Sequence, residues 1–237
     1  MTTPLPTNET KRIEALRRYN ILDTQPEKTF DDFTFLASTI CQAPIALLTF
    51  VDESRQWFKA HSGIKVTETP REGGFCSHTI LGTDVMIVED ASSDERFAQH
   101  PFVTEVPNIR FYAGAPLIDA EGYALGSLCV IDEKPRSLSP ENRLALEALA
   151  RQIISQLELR RTSADLAEAL ADIKILREIL PICSHCREIR DDSGYWQSVE
   201  SYVMAHSDTN FSHGICPACL KANYPTIYEN LRAAGKA

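Results

Sequence analysis

The chain has 237 residues, 43% of them hydrophobic, and a formal net charge of -9, which leaves room for one full-sized core plus an appendage. The acidic excess lies in residues 1–158, with 15 Lys/Arg against 23 Asp/Glu, whereas residues 159–237 carry 9 against 10; such a balance repels phosphate backbones and makes nucleic acid an unlikely partner. Met1-Thr-Thr-Pro-Leu-Pro lacks the basic flank and apolar stretch of a secretory signal, and no apolar run reaches the length of a membrane span, so a soluble cytoplasmic protein without membrane contact is expected.

Residues 9–19 are rich in helix formers with Ile13, Leu16 and Tyr19 on one stripe, and predict a short amphipathic helix. After the break Asp23-Thr24-Gln25-Pro26, the residues Phe30, Phe33, Ala37, Ile40 and Cys41 recur at helical spacing, and Pro44 ends the segment near Gln42. Ile45 to Val51 is a continuous apolar run of strand length. With the turn Asp52-Glu53-Ser54-Arg55 and the following Gln56 to His61 it reads as a hairpin. Further strands are read at Val85 to Val88, Phe111 to Ile118 and Ala124 to Ile131, the last two joined by Asp119-Ala120-Glu121-Gly122. The expected class is α+β, an antiparallel sheet of at least five strands flanked by helices.

Ser139-Pro140-Glu141 sets an N-cap hydroxyl, a proline at the first helical position and an acid near the positive end of the helix dipole. No Gly or Pro follows until Pro181, so a helix of about 40 residues is expected, over ~55 Å long at 1.5 Å per residue. Leu159, Leu166, Ile173 and Leu180 repeat every seven residues, Ala169 and Leu176 fall at the matching positions, and Thr162 is the polar exception. This spacing predicts a parallel coiled-coil linker over 159–180 and hence a homodimer; a single helix packed on its own domain is the alternative.

Two Cys-x-x-Cys pairs, Cys183/Cys186 and Cys216/Cys219, lie in residues 181–228. Each pair can wrap one knuckle around a metal, and together they supply four thiolates for a closed, structural tetrahedral zinc site. A redox pair or disulfides would not need the second pair, and disulfides are disfavoured in the cytosol. His185 and His213 are the reserves that would replace a thiolate. The hairpin expected around Asp191-Asp192-Ser193-Gly194, the helical stripe Val199, Tyr202 and Val203, and a helix after the second knuckle include too few apolar side chains for a core, which is why such a module needs metal. Residues 229–237 are left as a tail.

The order of elements carries a set of strings: Pro70-Arg71 with Phe75-Cys76-Ser77-His78-Thr79-Ile80, then Val88-Glu89-Asp90-Ala91, Asp94-Glu95-Arg96-Phe97, Arg110-Phe111-Tyr112-Ala113-Gly114-Ala115-Pro116-Leu117, and Leu125-Gly126-Ser127-Leu128-Cys129-Val130-Ile131-Asp132. In combination they resemble a GAF domain of the bacterial signalling type over residues 10–158. The resemblance implies a central antiparallel sheet, helices on one side making a dimer bundle, and a small-molecule pocket on the other. The tail, with Leu180-Pro-Ile-Cys, Gly194-Tyr195-Trp196 and Phe211-Ser-His-Gly-Ile-Cys-Pro, is similar to cysteine-rich segments appended to bacterial sensors and response regulators.

That resemblance places ligand contacts at Trp57, His61, Phe75, Cys76, His78, Asp90, Arg110 and Tyr112. Trp57 and Phe75 would stack a flat ligand, and Arg110 and Asp90 would supply one charge each. Read as a strand, the segment puts Cys76 and His78 on one face, where a thiolate beside an imidazole would be a nucleophile, redox sensor or metal contact, or else a buried structural pair. The expected protein is therefore a sensor, not an enzyme, that binds an unidentified small molecule and relays its state through the helix and zinc module to a protein partner. It carries no Gly-Gly-Asp-Glu-Phe string, phosphate-cradling loop, phosphoacceptor His on the long helix or basic recognition helix. A dimeric adaptor with an empty pocket is the rival. A free methionine sulfoxide reductase using Cys41, Cys76 and Cys129 and a bilin photoreceptor, whose Cys-His dipeptide is replaced by Cys-Ser-His, rank below it.

Overall fold

The computed structural model describes residues 3–177, 180–191, 193–207 and 209–233, the side chains of 172–177 excepted. The chain divides into two units, residues 1–168 and 169–237, with the division inside the long helix. In the first unit the elements are α1 (Glu9–Arg18), α2 (Lys28–Cys41), β1 (Ile45–Val51), β2 (Arg55–Ser62), β3 (Glu68–Pro70), α3 (Phe75–Thr79), β4 (Met86–Val88), α4 (Pro101–Thr104), β5 (Phe111–Ile118), β6 (Ala124–Asp132) and the start of α5 (Pro140–Arg177). The strands form one antiparallel sheet in the order β3-β2-β1-β6-β5-β4. The sixth strand, β3, was not expected, because three residues ending in a proline offer no period; that composition suits an edge.

Both faces of this sheet are covered, which is why β1 is buried at all seven positions and apolar at every one but Thr49. Ala46, Leu48 and Phe50 of β1, Trp57 and Ala60 of β2, and Phe111, Ala113 and Ala115 of β5 pack under the helices. Leu16, Phe30 and Ala37 meet them from α1 and α2, and Leu146, Ala150, Ile153 and Leu157 from α5. The alternate residues Ile45, Leu47, Val51, Phe58, Tyr112, Cys129 and Ile131 face the other side, beneath α3 and the segment around α4. A bulge between Leu48 and Thr49 shifts the β1–β2 register, so that Leu48 pairs with Ala60 and Thr49 with Phe58. The residue left over is Lys59. Its buried ammonium is satisfied by Thr24 Oγ1 at 2.8 Å, the Gln25 carbonyl at 2.6 Å and Glu27 Oε1 at 2.7 Å, which fastens the α1–α2 connection to the sheet.

Ser139 caps α5 as the sequence implies, its hydroxyl accepting from the Asn142 amide at 3.2 Å. Leu159 and Leu166 are each 59% exposed, so this stretch of the seam is uncovered in one chain; the side chains of Ile173 and Leu176 lie outside the described residues. In the second unit, β7 (Ile189–Arg190) and β8 (Trp196–Gln197) make the small hairpin, with Gly194 at φ +88° in its turn. Three helices follow: α6 (Val199–His206), α7 (Pro217–Asn223) and α8 (Pro225–Ala233). The second knuckle is thus followed by two helices rather than one, broken at Pro225, and α8 runs into the segment assigned as a tail.

The N-terminal helix is held by a charge cluster. Glu9 accepts from Nε and Nη2 of the buried Arg12, each at 2.8 Å, and from Arg71 at 2.6 Å, while Arg71 also donates to the Asp52 carbonyl at 3.0 Å. Burial raises the Glu9 pKa, but the hydrogen bonds and charges of Arg12 and Arg71 prevail and hold it at about 2. Glu9→Gln should therefore cost on the order of 2 kcal/mol at neutral pH, because it leaves charged donors under-satisfied. The folded carboxylate keeps its charge to about pH 2 and the unfolded one only to about 4.5, so the gap between variant and parent should close as pH falls through that window. Denaturant unfolding at several pH values measures it, and a gap independent of pH would contradict the cluster's role.

Candidate functional site

On the sheet face away from α1, α2 and α5 lies a cavity of about 640 Å³. Ile45 and Leu47 of β1, Phe58 of β2, Tyr112 of β5 and Ile131 of β6 form its floor, and Phe75 and Cys76 of α3 one wall. Ile64, Val66, Phe102 and Ile109 close it from the connecting segments, and Gln56, Thr69, Glu72, Arg96, Gln99 and His100 supply the polar groups. Phe75 stacks on Phe97 at 4.1 Å between ring centres and on Tyr112 at 5.1 Å, which fixes α3 over the sheet. Gln56 spends its amide on structure, donating to Thr69 Oγ1 at 2.9 Å and the Pro70 carbonyl at 3.2 Å and accepting from the Ser77 amide at 3.3 Å. A Cβ on Gly74 would fall 2.0 Å from that side chain, so any larger residue there would have to displace the Gln56 amide from its hydrogen bonds.

Arg96 and His100 both line the cavity and are held differently. Arg96 is held by Asp94 through two bonds of 2.9 and 2.7 Å, and its pKa is raised by that partner. His100 accepts from the Phe102 amide at Nδ1 over 3.1 Å, and burial, with His78 nearby, lowers its pKa. The neutral ring then carries its proton on Nε2.

Of the residues expected to meet a ligand, Phe75, Cys76 and Tyr112 line this cavity. The other five do not. Trp57 is 8% exposed and lies under the helices, 6.4 Å from the Phe50 ring, because Gln56 and Phe58 are the β2 positions that face the cavity. His61 is half-buried on β2 opposite Leu47 and stands outside the lining. The segment 75–79 is helical, so Cys76 and His78, two residues apart, diverge instead of sharing a face. His78 donates from Nδ1 to the Gly74 carbonyl at 3.1 Å with its ring edge on Phe97 at 4.8 Å, and burial lowers its pKa. Asp90 caps a turn, accepting from the Ser92 amide at 3.0 Å and its hydroxyl at 2.6 Å. Arg110 donates to the carbonyls of Val103 at 2.9 Å and Ile109 at 3.0 Å, tying the α4 segment to β5. Of the residues missed, Phe58 had one available signal, the alternation that splits it from Trp57 on β2, whereas Arg96 and His100 lie between β4 and α4, where no period marks them.

The cavity wall holds a cluster of sulfur and hydroxyl groups. Cys76 Sγ lies 3.9 Å from Cys129 Sγ and 3.6 Å from the Tyr112 hydroxyl, which shares a 2.7 Å hydrogen bond with Thr79 Oγ1. Thr49 Oγ1 and Ser127 Oγ are buried without a hydrogen-bond partner among the described residues, and these two residues face each other across β1 and β6. The Cys129 thiol draws the Cys76 pKa down against burial, helped by the hydroxyls of Ser127, Thr49 and Tyr112. Burial, reinforced by Cys76, pushes Cys129 up. Of the two sulfurs, Cys76 is the one whose residue lines the cavity.

The cysteine module shows two knuckles. Cys183 donates its amide to the Glu188 carbonyl at 2.8 Å and accepts from the Arg187 amide at 3.0 Å, with Arg187 at φ +66°. Cys216 caps α7, its sulfur accepting from the Cys219 amide at 3.4 Å. The amides of Cys186 and Cys219 lower the thiols of Cys183 and Cys216 respectively. Among the described residues no three His, Cys, Asp or Glu side chains converge on a metal-sized site, so the two pairs stand apart. Ile189 is the only buried residue among those described from 181 to 233. The donor set, four accessible thiols on two knuckles in a unit with almost no core, fits zinc.

The first unit is thus an α+β domain, an antiparallel sheet with helices on one face and a small-molecule-sized cavity on the other. Residues 25–157 match the model of the GAF domain, more than half of the chain, and the protein belongs to that family. Over 163 residues, 68% of its length, it is 41% identical to a cyclic di-GMP phosphodiesterase of Pseudomonas aeruginosa, and it spans 28% of that relative. Among solved structures it is similar to the GAF domain of an Acinetobacter phosphoenolpyruvate-protein phosphotransferase, at 16% identity over 67% of this chain and 97% of that one with a TM-score of 0.48. It is also similar to a type II free methionine-R-sulfoxide reductase of Thermoplasma acidophilum, at 16% identity over 54% and 94% of the two chains with a TM-score of 0.43. Among the described residues no helix is long and apolar enough to cross a membrane.

The correction at Trp57 is open to direct measurement. Trp57→Ala should lower the stability of the unliganded protein by about 3–5 kcal/mol in denaturant unfolding, because it empties a buried site under the helices. A variant that unfolds like the parent would return Trp57 to the cavity side.

Proposed function

We propose that this chain is a regulatory sensor: a small, largely apolar molecule enters the cavity, and its bound state is passed through α5 to the cysteine module, which presents it to a protein partner. The cavity carries this reading. At about 640 Å³ it falls within the ~300–1,000 Å³ typical of small-molecule sites, with an apolar floor and a few polar groups in its lining. Arg96, Gln99 and the Nε2 proton of His100 favour a ligand with one anionic or carbonyl end. The adaptor reading keeps the same fold with an empty pocket, and Trp57, packed under the helices, lends the cavity no stacking surface; the open cavity is what favours the sensor.

The four cysteines Cys183, Cys186, Cys216 and Cys219 would hold one structural zinc ion, and a second copy of the chain would cover exposed apolar positions. Phe35, Leu36 and Ile40 of α2 and Leu144, Leu159 and Leu166 of α5 support that pairing. We assign no phosphodiesterase chemistry here, since the shared segment is 28% of the relative that bears that name.

Native mass spectrometry of the purified chain should show a dimer with one zinc per subunit and a retained small molecule. Ile64→Trp, which fills the cavity from a partly buried position, should lose that molecule and with it the stabilisation a ligand gives, about 2.7 kcal/mol at a concentration one hundred times its Kd. No retained molecule, together with no stabiliser among nucleotides, tetrapyrroles and amino-acid derivatives, would overturn the sensor reading. Zinc should vanish when Cys183 and Cys216 become Ser, and chelation should expose residues 181–233 to proteolysis while 25–157 stay folded. A full zinc equivalent in that double variant would refute the ligand set.

A further inference from the structure

We infer that Cys76 and Cys129 form a thiol pair that a small hydroperoxide, entering through the cavity, converts to a disulfide. The two sulfurs are 3.9 Å apart, and Cys76 lines the cavity whereas Cys129 is wholly buried behind it. Peroxide therefore reaches one sulfur and the other waits within reach. Three hydroxyls stand around them: Tyr112 at 3.6 Å from Cys76, and the buried, otherwise unpartnered Thr49 and Ser127. A buried hydroxyl without an acceptor is costly unless some state of the site uses it. An anionic sulfur at Cys76, or the oxygen it gains, gives these donors an acceptor.

The chemistry closes on itself. The Cys76 thiolate attacks one peroxide oxygen; the S–O bond forms as the O–O bond breaks, sulfur loses two electrons, and the leaving oxyanion takes up the proton Cys76 released. The Cys129 sulfur then attacks the Cys76 sulfur, the S–S bond forms as the S–O bond breaks, and the departing hydroxide takes the Cys129 proton as water. With hydrogen peroxide, two thiols and one peroxide give one disulfide and two waters. A disulfide needs its sulfurs about 2.0 Å apart, so one element must move by about 2 Å. Cys129 sits on β6, paired on both sides by β1 and β5, whereas Cys76 sits on the five-residue α3. α3 is the element that moves, and Phe75 moves with it. Oxidation thus reshapes the cavity wall. The inference stands whether or not a ligand is found, because its test needs none.

The intact chain is treated with one equivalent of hydrogen peroxide, alkylated, and digested with trypsin without reduction. Peptide 72–96, which holds Cys76, should be recovered joined to peptide 111–136, which holds Cys129. In Cys129→Ala, Cys76 should instead be trapped as a sulfenic acid by dimedone, and in Cys76→Ser peptide 111–136 should stay unmodified. Recovery of both cysteines alkylated while Cys183, Cys186, Cys216 or Cys219 is oxidised would overturn the proposal, as would Cys76 joined to any cysteine but Cys129. The unsubstituted chain decides this alone should a variant fail to fold.

Discussion

Two-sided burial of one antiparallel sheet is the constraint from which the remaining features follow. A sheet with one wet face can place polar side chains at every second position, whereas β1, buried at all seven, cannot. Each strand residue then belongs to one of two cores, and any polar group in the sheet must find its partners inside the protein. Lys59 finds three on the α1–α2 connection, and the Gln56 amide finds three at the edge where β3 and α3 begin. The two hydroxyls that find none, Thr49 and Ser127, stand beside the cysteines on the cavity side.

The two cores are covered by different kinds of structure. Over one, α1, α2 and α5 present long apolar stripes that fill the space down to Leu146, Ile153 and Phe30, all at or near zero exposure. Over the other, α3 and α4 have five and four residues, and the connections between them are irregular. Short elements cannot interdigitate with a sheet as closely as long helices do, and the cavity lies where that packing falls short. Its floor is rigid and its roof is assembled from local contacts: the Phe75 stack, the Arg96–Asp94 pair, and the Arg110 bonds to Val103 and Ile109.

The same division decides what could be read from sequence. Strand and helix positions follow from apolar period and punctuation, so the two N-terminal helices, the hairpin, β5, β6 and the Ser139 start of α5 are legible, while β3, three residues long, is not. Which face a strand residue takes is harder, since β1 and the middle of β2 are buried on both faces and a bulge at Lys59 shifts the register. Trp57 was drawn to the pocket by its ring, Asp90 and Arg110 by their charge; one fills a core, one caps a turn, and one binds carbonyls. Cys76 and His78 were read as alternating because a five-residue helix flanked by glycines has no detectable period. The metal-type spacing of the four cysteines is legible without any fold, but their convergence is a tertiary property.

In the proposed sensor, alternation would supply the physical route by which a cavity event reaches α5. Tyr112 faces the cavity, and its neighbours Phe111 and Ala113 face the helices; Cys129 belongs to the core on the cavity side, and Leu128 and Val130 face the helices. Because adjacent residues of one strand belong to opposite cores, a strand displaced on one side cannot leave the other side unchanged. A close-packed interior transmits such a shift instead of absorbing it. Leu146, Ala150, Ile153 and Leu157 of α5 belong to the core that Phe111, Leu128 and Val130 help to form, so movement of β5 or β6 acts on the first half of that helix directly. No dedicated relay is required beyond the strand's two-residue period; what a ligand or a disulfide must supply is a displacement large enough for the helix to settle in a second packing.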